Sequence, residues 1–153
     1  MAPMAAFLLL TTLLTIAGLI ATAVAGFLAN PLSAAQHIFL AMATTFVGLF
    51  SQSMTMFFFI GTGKEIKEKA QGDVAVVQET KAFKSRVFPA AMWALTAIMV
   101  TFIMGGGVAT GKTPRLLHDA LALTTLFLFA RAYWIELRAM DENARLMEKF
   151  LRD

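Results

Sequence analysis

Four apolar runs, each long enough to cross a bilayer, leave this chain few folds to choose from. They extend roughly from Phe7 to Ala29, Leu32 to Ile60, Phe88 to Val108 and Leu116 to Ile135. A hydrocarbon core about 30 Å thick takes ~20 residues of helix, and inside it every backbone N–H and C=O needs a partner within the protein. A helix satisfies both conditions by itself. Only 15% of the 153 residues are charged, against about 25% in soluble domains, and the mean hydropathy is +0.70. The expected fold is therefore all-α, an integral membrane four-helix up–down bundle forming one domain over 1–153. Its helices are expected at about 5–29, 32–61, 88–108 and 114–152, with a loop over 62–87. The lipid bilayer is its first partner.

The first run ends in Ala23-Val24-Ala25-Gly26, which imitates a signal-peptide cleavage site. It lacks a basic n-region and exceeds the usual h-region of ~7–15 residues, so it reads as a retained membrane helix. Basic residues then set the orientation. Lys64, Lys67, Lys69, Lys81, Lys84 and Arg86 fall between the second and third runs, and Arg131, Arg138, Arg145, Lys149 and Arg152 follow the fourth. The first connection has no lysine or arginine, and the third has only Lys112 and Arg115. The positive-inside rule places both termini and the 62–87 loop in the cytoplasm, with the bacterial cytoplasmic membrane as the expected location. The net charge of +3 follows from this topology and implies no nucleic-acid partner.

Asn30-Pro31 and Thr113-Pro114 look like capped helix starts on the outer side, and Pro89 like the start of the third helix. Gly61-Thr62-Gly63-Lys64 reads as a helix-breaking exit from the membrane, since it lacks phosphate-loop spacing. Gly105-Gly106-Gly107 is expected to fray the outer end of the third helix. Beyond the membrane, 137–152 forms a cytoplasmic extension of the last helix. Its apolar edge along Leu137, Met140, Ala144 and Met147 or Leu151 should meet a partner or the 62–87 segment.

The chain has two histidines, and they begin similar stretches, HIFLAMATTFVGLF at His37 and HDALALTTLFLFA at His118. At an offset of 81, Leu40/Leu121, Ala41/Ala122, Thr44/Thr125 and Phe46/Phe127 are identical, so each helix carries His-x3-Ala-x2-Thr along one stripe. Leu14/Leu95, Thr15/Thr96 and Gly26/Gly107 coincide at the same offset, which suggests a duplicated helical hairpin with its axis along the membrane normal. In an up–down bundle the second and fourth helices are diagonal neighbours, so the histidines would face each other. Two opposed imidazoles suffice as axial ligands of a haem b. Ala41, Thr44, Ala122 and Thr125 would leave room for the ring, and Lys112 and Arg115 could pair its propionates. Diagonal bis-histidine ligation resembles that of four-helix membrane cytochromes b in general, with no family-specific motif beyond the architecture and the two ligands.

Other readings stay open. The histidines could be interfacial residues at helix starts. Ten methionines suit Cu(I) alongside imidazole, but Met42, Met54, Met56, Met92, Met99 and Met104 show no ligand-like spacing. Zinc would want four ligands, and Asp119 is the only carboxylate near the pair. Gln52, Arg131, Tyr133 and Glu136 form a second polar group near the inner side, read as an interfacial belt with a quinone headgroup as the functional alternative. The absence of cysteine excludes thiolate iron–sulfur sites, covalent haem attachment and disulfides. With no catalytic constellation, two functions remain. One is a haem b electron-transfer protein working with other redox subunits; the other is a cofactor-free accessory subunit of a respiratory or photosynthetic complex.

Overall fold

The computed structural model of the chain describes residues 2–28 and 33–151. It has four helices, α1 (Ala2–Phe27), α2 (Ala34–Lys69), α3 (Val74–Ala109) and α4 (Arg115–Leu151), with no strand among the described residues. Each helix contains a segment long and apolar enough to cross a membrane. Each packs on its neighbour in sequence, α4 closes the ring on α1, and α2 meets α4 across the diagonal, whereas among the described residues the backbones of α1 and α3 stay apart, with no Cα pair within 8 Å. The expected Asn30-Pro31 cap lies outside the described residues.

The expected loop over 62–87 is instead helical except at 70–73. Helices α2 and α3 have 36 residues each and α4 has 37. At 1.5 Å per residue each is about 54 Å long, well beyond a hydrocarbon core of about 30 Å, so their charged parts continue outside it as helix. Two features sustain α2 past Gly61 and Gly63. Lys64–Glu68 (3.7 Å) and Glu65–Lys69 (3.4 Å) pair along its exposed face, and Ile66 is buried against the neighbouring helices. Gly63 lies so close to the Lys84 stem that a Cβ there would collide with it.

Helix α3 starts at Val74 because Asp73 caps it, its side chain accepting from the Ala75 N–H at 2.8 Å. The preceding turn puts Gln71 and Gly72 at φ 49° and 82°, the second a conformation that favours glycine. Pro89 is therefore inside the helix rather than at its start. Likewise Gly105, Gly106 and Gly107 remain helical, with Gly107 packed on Thr113.

The C-terminal extension docks within the chain. Ile66, Val76, Phe83, Val87, Ala139, Met140, Leu146 and Met147 form one buried cluster, and Arg86 pairs with Glu142 across α3 and α4. The inward stripe of α4 is Glu136, Ala139, Met140, Asn143, Leu146 and Met147, so Leu137 and Ala144 of the expected edge face outward.

Burial repeats between the halves. At an offset of 81, Thr44/Thr125, Ser51/Ala132, Thr55/Glu136, Phe59/Met140, Thr62/Asn143 and Ile66/Met147 are all buried. For α1 and α3, the offset that aligns buried residues is 79 rather than 81: Leu8/Val87, Thr12/Ala91 and Thr15/Ala94. The expected pairs Leu14/Leu95 and Thr15/Thr96 fail this test, because Leu14 and Thr96 face outward.

Candidate functional site

Because α2 and α4 meet on the diagonal, the two His-x3-Ala-x2-Thr stripes face each other. The His37 and His118 rings lie 6.5 Å apart, centre to centre, with their planes at 80°. Each ring rests in a notch made by a glycine of the preceding helix. A Cβ on Gly26 would stand 2.9 Å from His37 Cε1, and one on Gly105 would stand 3.0 Å from His118 Cε1. These two contacts follow the 79-residue register of α1 and α3 (26 to 105). Thr22 of α1 adjoins the His37 ring. In both histidines Nδ1 is buried without a hydrogen-bond partner among the described residues.

Two turns further in, the threonines repeat the same logic. Thr44 Oγ1 meets Thr22 Oγ1 at 3.3 Å, and Thr125 Oγ1 meets Thr101 Oγ1 at 2.7 Å. Thr44 also fills the space left by Gly18, where a Cβ would stand 2.8 Å from its hydroxyl. The helices of each hairpin are thus joined by a hydroxyl pair just beneath the histidines.

Above these pairs all four helices enclose a largely apolar cavity of ≈ 420 Å³, bounded below by Leu19 and Ile98. Of the expected residues, His37, His118, Ala41, Thr44, Ala122 and Arg115 line it. Thr125 is buried behind Thr101 and does not, and Lys112 is exposed in the connection and does not. Arg115 sits at the rim, where it donates to the Gly26 carbonyl at 3.0 Å and lies 3.8 Å from Asp119. No methionine lines the cavity among the described residues.

The residues can be tested against the group they would hold. A five-membered ring with bonds of about 1.33 Å has its nitrogens ~1.1 Å from the centre. Two imidazoles bound end-on to one metal at about 2.0–2.1 Å therefore place their centres ~6.3 Å apart. The observed separation of the ring centres is 6.5 Å. No group of three or more His, Cys, Asp or Glu side chains assembles among the described residues. A porphyrin brings four ligands of its own, so that two histidines suffice to complete its set.

The second polar group is divided. Glu136 and Gln52 are fully buried, Arg131 and Trp134 face outward, and Tyr133 is half-buried. Glu136 is not part of an interfacial belt, and Gln52 and Arg131 do not come together. A spacing in the sequence could have revealed this. Glu136 is 18 residues after His118 (136 − 118), five full helical turns, and so lies on the same inward stripe.

Comparison with protein-family models, curated proteins and solved structures gives no match for the chain.

Proposed function

We propose that the protein is a small integral membrane electron-transfer subunit that holds one haem b between His37 and His118. The observation that carries this reading is the 6.5 Å approach of the two rings, from helices that meet only across the bundle diagonal. Bound there, the haem would supply a reversible one-electron couple. The chain's part is to bind, orient and exclude water. The two imidazoles would hold the haem iron, and Ala41 and Ala122 leave the space between the helices open. The hydroxyl pairs Thr22–Thr44 and Thr101–Thr125 fix the spacing within each hairpin. Leu19 and Ile98 close the floor with apolar surface, which disfavours water at the metal. Arg115, exposed at the rim, is placed to receive a propionate; this would exchange a partly solvated pairing with Asp119 for one with the cofactor.

The haem would lie toward one membrane face, so a redox partner, either another subunit or a quinone, must meet it there. The basic residues of 64–86 and 131–149 support a topology with the opposite face and both termini in the cytoplasm. Cysteine at position 112 should react with a membrane-impermeant maleimide in intact cells. Cysteine at position 81 should react only after the membrane is opened. Reversed accessibility would contradict the orientation.

The function itself is tested by an absorption spectrum of the purified protein. A sharp Soret band with α and β bands on reduction is expected. A colourless preparation that takes up no added haemin would leave the cofactor-free accessory reading in its place.

A further inference from the structure

A second buried site lies on the same diagonal. Thr55 is 18 residues after His37 (55 − 37), as Glu136 is after His118, which puts both about 27 Å along the helices from the histidines. Glu136, Gln52, Thr55, Ser51 and Thr12 are all fully buried, at 0% exposure. We propose that these five side chains form a binding site for one small monovalent cation, a proton or a sodium ion.

The first argument is a set of buried oxygens without partners. Thr12 Oγ1 lies within reach of two acceptors, the Leu8 carbonyl (3.2 Å) and Glu136 Oε2 (3.2 Å), and shares a hydrogen bond with Ser51 Oγ at 2.7 Å in which either hydroxyl can donate. Gln52 Nε2 in turn donates to Thr12 Oγ1 at 3.4 Å. After these bonds are drawn, Glu136 Oε1, Gln52 Oε1 and Thr55 Oγ1 remain buried without partners. Two of the three can only accept when the carboxyl is ionised. Buried acceptors left unmatched are costly, and a bound cation would satisfy them together.

The second argument is charge. Glu136 meets Thr12 from α1 and Gln52 from α2, both neutral, and no ionisable group among the described residues of α1, α2, α3 or α4 acts on it. A carboxyl buried this way is held neutral by a bound proton or balanced by another cation. A single carboxylate is neutralised by one positive charge, and a divalent ion would leave a net charge in the core. The donors are all oxygen, which suits a hard ion and disfavours copper or zinc. This site stands whether or not a haem binds between the histidines.

Perfusion-induced infrared difference spectroscopy on the full chain in lipid nanodiscs tests it. Raising the pH should remove a carboxylic-acid carbonyl band that is present in the wild type and in Glu142→Gln but missing from Glu136→Gln. At fixed pH, exchanging choline for sodium should remove the same band if sodium takes the site. Loss with pH but not with sodium assigns the site to a proton alone. Thr55→Val, which removes one oxygen at nearly constant volume, should move the midpoint of the transition by about tenfold in ion concentration. If Glu136→Gln gives the wild-type difference spectrum under both exchanges, or if Thr55→Val leaves the midpoint in place, the proposal is overturned.

Discussion

Replacing either histidine by alanine should abolish the six-coordinate low-spin spectrum. His37→Ala or His118→Ala leaves one axial imidazole at most, giving a high-spin five-coordinate site or an empty one, and the double variant should bind no haem. The helical content should not change, because both rings line a cavity rather than the packed core. Gly26→Val and Gly105→Val probe the same geometry from the facing helices. Their side chains would occupy the notches in which Cε1 of each ring rests, 2.9 and 3.0 Å from the first added carbon. They should lower haem retention several-fold while both ligands remain. The rings at 80° further predict a strongly anisotropic low-spin ferric signal in electron paramagnetic resonance. Ligand planes crossed at a right angle act alike on both iron π orbitals, and crossed planes are what the bundle presents. Unchanged spectra in both histidine variants would exclude them as ligands.

Phe83→Ala should have the largest effect on folding. Phe83 is fully buried between the charged ends of α2, α3 and α4, 5.5 Å centre to centre from Phe59 and in one cluster with Ile66, Met140 and Met147. This part of the bundle lies beyond the length a membrane can cover, so water-driven apolar burial holds it together. Truncating a buried phenylalanine costs about 3–5 kcal/mol. Amide exchange over 62–87 should accelerate by about a hundredfold or more, with the membrane-spanning segments little affected. Exchange over 62–87 that is already as fast as in an unstructured chain before mutation would restore the loop expected from sequence.

The contrast between those two sites shows what could be read from residues alone. Membrane length fixes the number of helices and their up–down order, because the bilayer allows almost no other backbone. The histidine pair was visible because each residue occurs in the same local pattern, and a diagonal contact follows from the topology. Polarity, by contrast, was a poor guide to where helices end. Gly61, Gly63 and the lysines between 64 and 86 resemble a loop, yet i,i+4 pairs and buried Ile66, Val76 and Phe83 keep the backbone helical. The true turn carries its own signature at Gln71-Gly72-Asp73, a left-handed glycine followed by a capping aspartate. Glu136 was misplaced for a related reason. A carboxyl beside Arg131, Trp134 and Arg138 looks like part of an interfacial belt until the helical phase from His118 is followed. The glycine notches were beyond reach, since only three-dimensional packing reveals which ring faces Gly26 or Gly105.

Haem content per chain tests the proposed cofactor most directly. The full-length protein, purified from membranes in mild detergent, should give a pyridine haemochrome of the b type at one haem and one iron per chain. Its reduced spectrum should remain low-spin without added ligand. A well-folded, monodisperse preparation with neither haem nor iron, which also fails to take up haemin, would contradict haem ligation by His37 and His118.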